Sequence, residues 1–186
     1  MSAPLDVVDT ALAGVKIVRP VVHRDPRGFF LETYHLERYA AGGIGDVFVQ
    51  DNHSKSVRGT VRGLHLQRTR LQAKLVRVIH GEVFDVAVDV RVGSPRFGQW
   101  TGVRLSSENA WQMYVPAGFA HGFAVLSEVA EVEYKCSAFY DAADEIAVKF
   151  DDPAIGVEWP VAEPILSRRD QEARPLAALI DRLPAF

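Results

Sequence analysis

Ten short runs rich in Val, Ile, Phe and Tyr succeed one another between Val15 and Phe139, broken at close intervals by Gly, Pro, Asn and Asp. They are Val15 to Val22, Phe29 to Tyr34, Val47 to Asn52, Val57 to Leu66, Lys74 to His80, Glu82 to Val90, Thr101 to Ser106, Gln112 to Val115, Gly122 to Leu126 and Glu131 to Phe139. Many short strands at such spacing can bury their apolar faces only by closing into a sandwich or barrel. The clearest alternation runs from Glu82 to Val90, where Phe84, Val86, Val88 and Val90 form the expected core face and Val83, Asp85, Ala87 and Asp89 the other. Helical patterns are confined to short flanking pieces, His35 to Ala41 and Glu172 to Leu183. The second would pack Leu176, Leu179, Ile180 and Leu183, with Pro175 in its first turn. The pattern therefore predicts a mostly β fold, an antiparallel jelly-roll barrel with short flanking helices, rather than a doubly wound α/β sheet.

With 186 residues, 48% of them apolar, and no linker or repeat, the chain is expected to form one domain over residues 1–186. Asp6 and Asp9 stand where a secretory leader would be positive, and no apolar run approaches the roughly 18 residues that span a bilayer, which points to the cytoplasm. Cys136 is the sole cysteine, so neither an internal disulfide nor a thiolate cage can form within one chain. A net charge of −3 argues against a general nucleic-acid binder. Yet Lys55, Arg58, Arg62, Arg68, Arg70, Lys74 and Arg77 fall in one stretch free of Asp and Glu. Such a run either holds a compact anion, phosphate being the commonest, or forms a solvated basic face. It carries no aromatic residue on which bases could stack.

Among the histidines at 23, 35, 53, 65, 80 and 121, two stand out. His65 follows the basic segment VRGTVRG, and His121 lies in PAGFAHGF, where small residues leave room and Phe119 and Phe123 share its strand face. A metal site on a strand usually needs alternate residues such as His-x-His, but Gln67 and Phe123 occupy the positions two beyond each, and no metal is expected. A nucleophile elbow, a phosphate loop and a dinucleotide fingerprint are absent. Acid/base chemistry beside an anion-binding surface remains.

The segments VRGLHLQ (61–67), KLVRVIHGEVFDVAVDVRVGSPRFGQW (74–100), VPAGFAHGF (115–123), EYKCSAFY (133–140) and LSRRD (166–170), together with DPRGFFLE (25–32), resemble the dTDP-4-dehydrorhamnose 3,5-epimerase family in order and spacing. The resemblance implies a metal-independent, cofactor-free isomerase on a cupin-type jelly roll, a homodimer, and a dTDP-linked 4-keto-6-deoxy sugar as substrate. It implies that His65 is the base, that Asp170 hydrogen-bonds its imidazole, that Lys74 stabilises the enolate oxygen, and that Tyr134 delivers a proton to the opposite face. It further assigns binding to Arg27, Phe30 and Glu32, to Gln50 and Asn52 of FVQDN, and to Arg62, with Arg27 and Arg62 suited to the diphosphate. His121, Tyr140, Glu145 and Arg169 are further binding positions, from this subunit or its partner. The family often has an aromatic residue where Leu66 stands, but that position should point away from His65.

Strict alternation would set Arg62 and His65 on opposite faces of a regular strand, so a bulge at Gly63 is expected. The alternatives are an epimerase that inverts only C3 or only C5, a non-catalytic sugar-nucleotide binding module, which the joint presence of His65, Lys74, Tyr134 and Asp170 disfavours, and a metal-dependent cupin enzyme.

Overall fold

A computed structural model describes residues 5–186, so the first four residues of the leading segment lie outside it. In chain order the elements are β1 (Asp6–Asp9), β2 (Lys16–Arg19), β3 (His23–Asp25), β4 (Gly28–Phe30), α1 (Leu36–Ala41), β5 (Gln50–Val57), β6 (Val61–Gln67) and β7 (Lys74–His80). There follow β8 (Glu82–Asp89), β9 (Trp100–Ser106), β10 (Gln112–Val115), β11 (Phe119–Val125), β12 (Val129–Cys136), β13 (Glu145–Ala147) and α2 (Arg168–Gln171). Two antiparallel sheets result, ordered β1-β2-β10-β7-β12-β5 and β13-β6-β11-β8-β9, with β3 and β4 forming a separate hairpin. This is the expected jelly-roll architecture. Among the described residues no helix is long and apolar enough to cross a membrane.

Alternation on facing strands builds the central core. Val76 and Val78 of β7, Val132 of β12 and Met113 of β10 enter from one sheet, and Val83, Ala87, Leu105, Phe119 and Phe123 from the other. A second core covers the outer face of the five-stranded sheet, where Val86, Val88 and Val90 pack under Ile155, Leu176 and Leu179 of the returning chain. Strand β8 is thus buried on both faces, not on the single face its alternation suggested, because the segment after β13 folds back over it. Its second face, including Asp85 and Asp89, forms the wall of the barrel interior.

The segment Glu172 to Leu183 corrects a second expectation. It holds no α-helix, only 3-10 turns at Leu176–Ala178 and Ile180–Arg182, while a single α-helical turn precedes it in α2. A helix of that length is marginal by itself, and tertiary bonds claim its backbone. Arg174 bridges to Val148, the Leu176 amide donates to the Asp152 carboxylate at 2.6 Å, and just beyond the segment Ala185 bridges to Val92. Leu176 and Leu179 are buried as expected, whereas Ile180 is exposed. The strands Asp6–Asp9, His23–Asp25 and Glu145–Ala147 were not foreseen, and the run Val57 to Leu66 divides at a turn through Gly59, whose φ is +82°.

Leu105, fully buried where both sheets meet, tests the weight of this core. Leu105→Ala should lower the free energy of unfolding by about 2–5 kcal/mol, read from urea denaturation. A loss within about 0.5 kcal/mol would mean that the two sheets are not joined there.

Candidate active site

The site begins with a slip in strand pairing. His65 lies opposite His121 and Arg62 opposite Phe123, so three residue steps on β6 face two on β11. That is the irregularity expected at Gly63, and it turns Arg62 and His65 toward one cavity of about 310 Å³. Gly63 permits it with a φ of +115°. A Cβ there would sit 2.6 Å from Gly122 Cα and 2.7 Å from the His121 carbonyl oxygen. Lys74 from β7, His121 from β11, Tyr134 from β12, Glu145 from β13 and Asp170 from α2 complete the polar wall.

His65 is fixed by Asp170, whose Oδ1 lies 2.6 Å from Nε2. Asp170 is only 3% exposed, and its Oδ2 accepts from the Ser167 hydroxyl at 2.7 Å. Burial alone would raise the carboxyl's pKa, but the bonds to His65, Ser167 and the Gly63 main chain hold it below its ordinary value. An ionised Asp170 accepts a hydrogen bond from Nε2–H, which leaves Nδ1 as the basic nitrogen. Glu145 Oε1 is 3.9 Å from that Nδ1.

Burial pushes the Tyr134 phenol up to about 12, with further contributions from neighbouring Cys136 and Glu145, so it stays protonated at neutral pH. The Lys74 ammonium lies 6.0 Å from the Tyr134 ring centre, and its pKa is lowered chiefly by burial, against the opposing influence of Cys136, Glu145 and Asp85. His121 is 6% exposed and places Nε2 2.8 Å from Asp85 Oδ1. Base, acid and cation therefore share one pocket.

The rim gathers four more expected residues. The Tyr140 hydroxyl donates to Glu145 Oε2 at 3.2 Å, and Arg169 forms an ion pair with the same carboxylate. Gln50 and Asn52 bond one another at 2.9 Å on the strand face that also carries Ser54, which lines the cavity. Arg27, Phe30 and Glu32 do not reach this cavity within one chain. Arg27 has a side chain 90% exposed and pairs with Asp25, Phe30 is 71% exposed, and Glu32 pairs with Arg38. Among the described residues, the hairpin that carries Arg27 and Phe30 pairs with no other strand.

The basic stretch from Lys55 to Arg77 is not one patch either, because alternation and turns scatter it. Arg62 and Lys74 enter the cavity, Lys55 pairs with Glu131, and Arg77 pairs with Glu133. Among the described residues no group of three His, Cys, Asp or Glu is arranged to hold a metal ion. Sequence reasoning missed Asp85 and Ser167. The signal for Asp85 was weak, a carboxylate alternating with Val83 and Ala87 on a strand face that also carries Asp89.

Two outcomes follow from this geometry. Gly63→Ala should destabilise the fold by roughly 1–3 kcal/mol, and the histidine NMR resonances of His65 and His121 should shift together. An unchanged spectrum would mean that the bulge does not set their positions. Because Asp170 is depressed in the folded state, its stabilisation is present above the ordinary carboxyl value of 3.8 and is lost as the pH falls through its folded pKa. Asp170→Asn should therefore unfold more easily than the wild type in urea at neutral pH, with the gap closing in strong acid. A gap of constant size would contradict this assignment.

Comparisons with known proteins agree in direction. The family model described as dTDP-4-dehydrorhamnose 3,5-epimerase matches residues 9–178. A dTDP-4-dehydrorhamnose 3,5-epimerase of Salmonella typhimurium is 51% identical over 170 residues, covering 90% of this chain and 93% of that protein. One of Neisseria gonorrhoeae is 50% identical over 167 residues and 89% of this chain, although the match spans about half (51%) of that longer protein. The crystal structure of dTDP-6-deoxy-D-glucose-3,5-epimerase from Legionella pneumophila Philadelphia 1, in complex with dTDP-4-keto-L-rhamnose, superposes with a TM-score of 0.95 at 46% identity, covering 98% of each chain.

Proposed function

This chain belongs to the dTDP-4-dehydrorhamnose 3,5-epimerase family of isomerases, and on that premise we propose that it inverts C3 and C5 of dTDP-4-keto-6-deoxyglucose, giving dTDP-4-dehydrorhamnose. The observation that carries the residue roles is the pairing, in one cavity, of an imidazole fixed by a buried carboxylate with a phenol kept protonated by burial.

A hydrogen beside a ketone is removable only when a base stands over it and the developing enolate oxygen is stabilised. His65 Nδ1 takes that proton, and the C–H electron pair moves through the carbon–carbon bond onto the C4 oxygen. Asp170 holds the imidazole in this tautomer and supports the imidazolium once formed. Lys74, as an ammonium, faces the enolate oxygen. The enolate then collapses, taking a proton from the Tyr134 hydroxyl on the opposite face and inverting the carbon. His65 afterwards releases its proton, Tyr134 regains one, and the cycle repeats at the second carbon. No step changes an oxidation state.

Arg62, held through Nε by the Ser56 hydroxyl at 3.0 Å, binds the diphosphate, and His121, Tyr140, Glu145 and Arg169 border the sugar nucleotide. Gln50 and Asn52 extend that border along β5. The enzyme works as a cytoplasmic homodimer with one domain per chain. β5 is the outer strand of its sheet, and Val47, Val49, Phe29 and Phe30 are exposed beside it and on the neighbouring hairpin. A partner docked there would bring Arg27, Phe30 and Glu32 to a cavity they do not reach within their own chain.

The test is incubation with dTDP-4-keto-6-deoxyglucose in deuterated water, followed by NMR. Deuterium is expected at both C3 and C5, and its absence from both would sink the epimerase reading. His65→Ala should slow exchange at every position by roughly 10²–10⁴-fold. Tyr134→Phe should retain proton removal at one carbon yet lose net inversion. Normal epimerisation by either variant would refute that residue's role.

A further inference from the structure

Asp85 takes no part in the steps above, yet it is a fully buried carboxylate behind the wall of the reacting cavity. β8 turns Val83, Asp85 and Ala87 into the space between the sheets, and β7 turns Lys74, Val76 and Val78 into the same space from the opposite sheet. Asp85 Oδ1 meets His121 Nε2 at 2.8 Å, but Oδ2 is buried with no hydrogen-bond partner. Asp89, four residues along the same face, shows how this strand satisfies a purely structural carboxylate. Both Asp89 oxygens are taken, by the Arg91 guanidinium and the Ser94 hydroxyl at 2.6–2.9 Å. A buried charge left half-satisfied is rare because it is costly, and it needs a counter-charge.

We infer that Asp85 is a positioning residue whose one carboxylate fixes His121 at the cavity wall and keeps Lys74 an ammonium beside the sugar ketone. This rests on the epimerase reading, since the developing enolate is what needs that charge. The groups facing Lys74 are Cys136 and Tyr134 on β12, Glu145 on β13, His121 on β11, Arg62 and His65 on β6, Asp85 on β8, and Asp170 on α2, whose two oxygens are taken by His65 and Ser167. Burial raises the Cys136 thiol, which stays neutral, and Tyr134 is neutral as well. The Glu145 carboxylate is already committed to Arg169 and Tyr140. Asp85 is thus the anion with an oxygen left over to balance Lys74.

The experiment is the pH profile of deuterium exchange at C3 and C5, for the wild type and for Asp85→Asn, which keeps the shape and an acceptor for His121 but removes the charge. Tyr134, at about 12, titrates too high to set the alkaline limb, so Lys74 sets it. In Asp85→Asn that limb should move to lower pH by about one to three units, because an ammonium without its counter-ion loses its proton sooner. KM should change less than kcat. An active wild type with an unmoved limb in the variant overturns the inference. A wild type inactive at every pH overturns the epimerase reading, and this inference with it. Should Asp85→Asn fail to fold, ε-13C-lysine NMR of the wild type decides, with the Lys74 signal identified by its loss in Lys74→Met. An ammonium shift at about pH 8 supports the inference, and a neutral amine at that pH refutes it.

Discussion

One extra residue in β6 holds the site together. Side chains alternate along a regular strand, so residues three apart point to opposite faces. Arg62 and His65 share a cavity only because the β6–β11 pairing slips once between His121 and Phe123. The slip needs glycine on both strands at the crossing, since a Cβ at Gly63 would strike Gly122 and a Cβ at Gly122 would lie 2.7 Å from the Arg62 carbonyl oxygen. Two glycines thus fix the direction of the His65 imidazole and of the Arg62 guanidinium. The same segment leads the Gly63 main chain to the Asp170 carboxylate, tying the bulge to the group that orients the His65 imidazole.

Around that slip the barrel exposes polar groups to a low dielectric selectively. Where the interior closes, it is apolar, with Val76, Met113, Leu105 and Val125 meeting between the sheets. Where it opens, burial acts on ionisable groups in opposite senses. It keeps Tyr134 protonated and presses Lys74 toward neutrality, while hydrogen bonds override it at Asp170 and keep that carboxylate charged. A proton acceptor, a proton donor and a cation coexist within one cavity because their partners differ, although their solvent exposure is similar.

Much of this was legible from the chain alone where the signal was local. Lys74–His80 and Gln112–Val115 begin and end where alternation put them, and the helix near Leu36 is present. Non-local competition defeated the pattern elsewhere. The apolar spacing from Glu172 to Leu183 is helical, but a bridge from Arg174 to Val148 and the Asp152 carboxylate at the Leu176 amide take its backbone groups. β8 displayed one apolar face and buries two, because its second cover comes from residues some seventy to ninety positions later.

The sequence by itself determined the class of fold, through the number and spacing of its strands, and, through its resemblance to a known family, which side chains to look for in the site. Tertiary structure alone decided which of those groups meet. It joined His65 to Asp170 across 105 residues, drew Tyr134 and Lys74 together on adjacent strands, and scattered the basic run that looked continuous. It also left Arg27, Phe30 and Glu32 outside the cavity of their own chain. The reason is physical: strand periodicity is written in neighbouring residues, whereas a cavity is made by pairing registers and burial between segments distant in the chain.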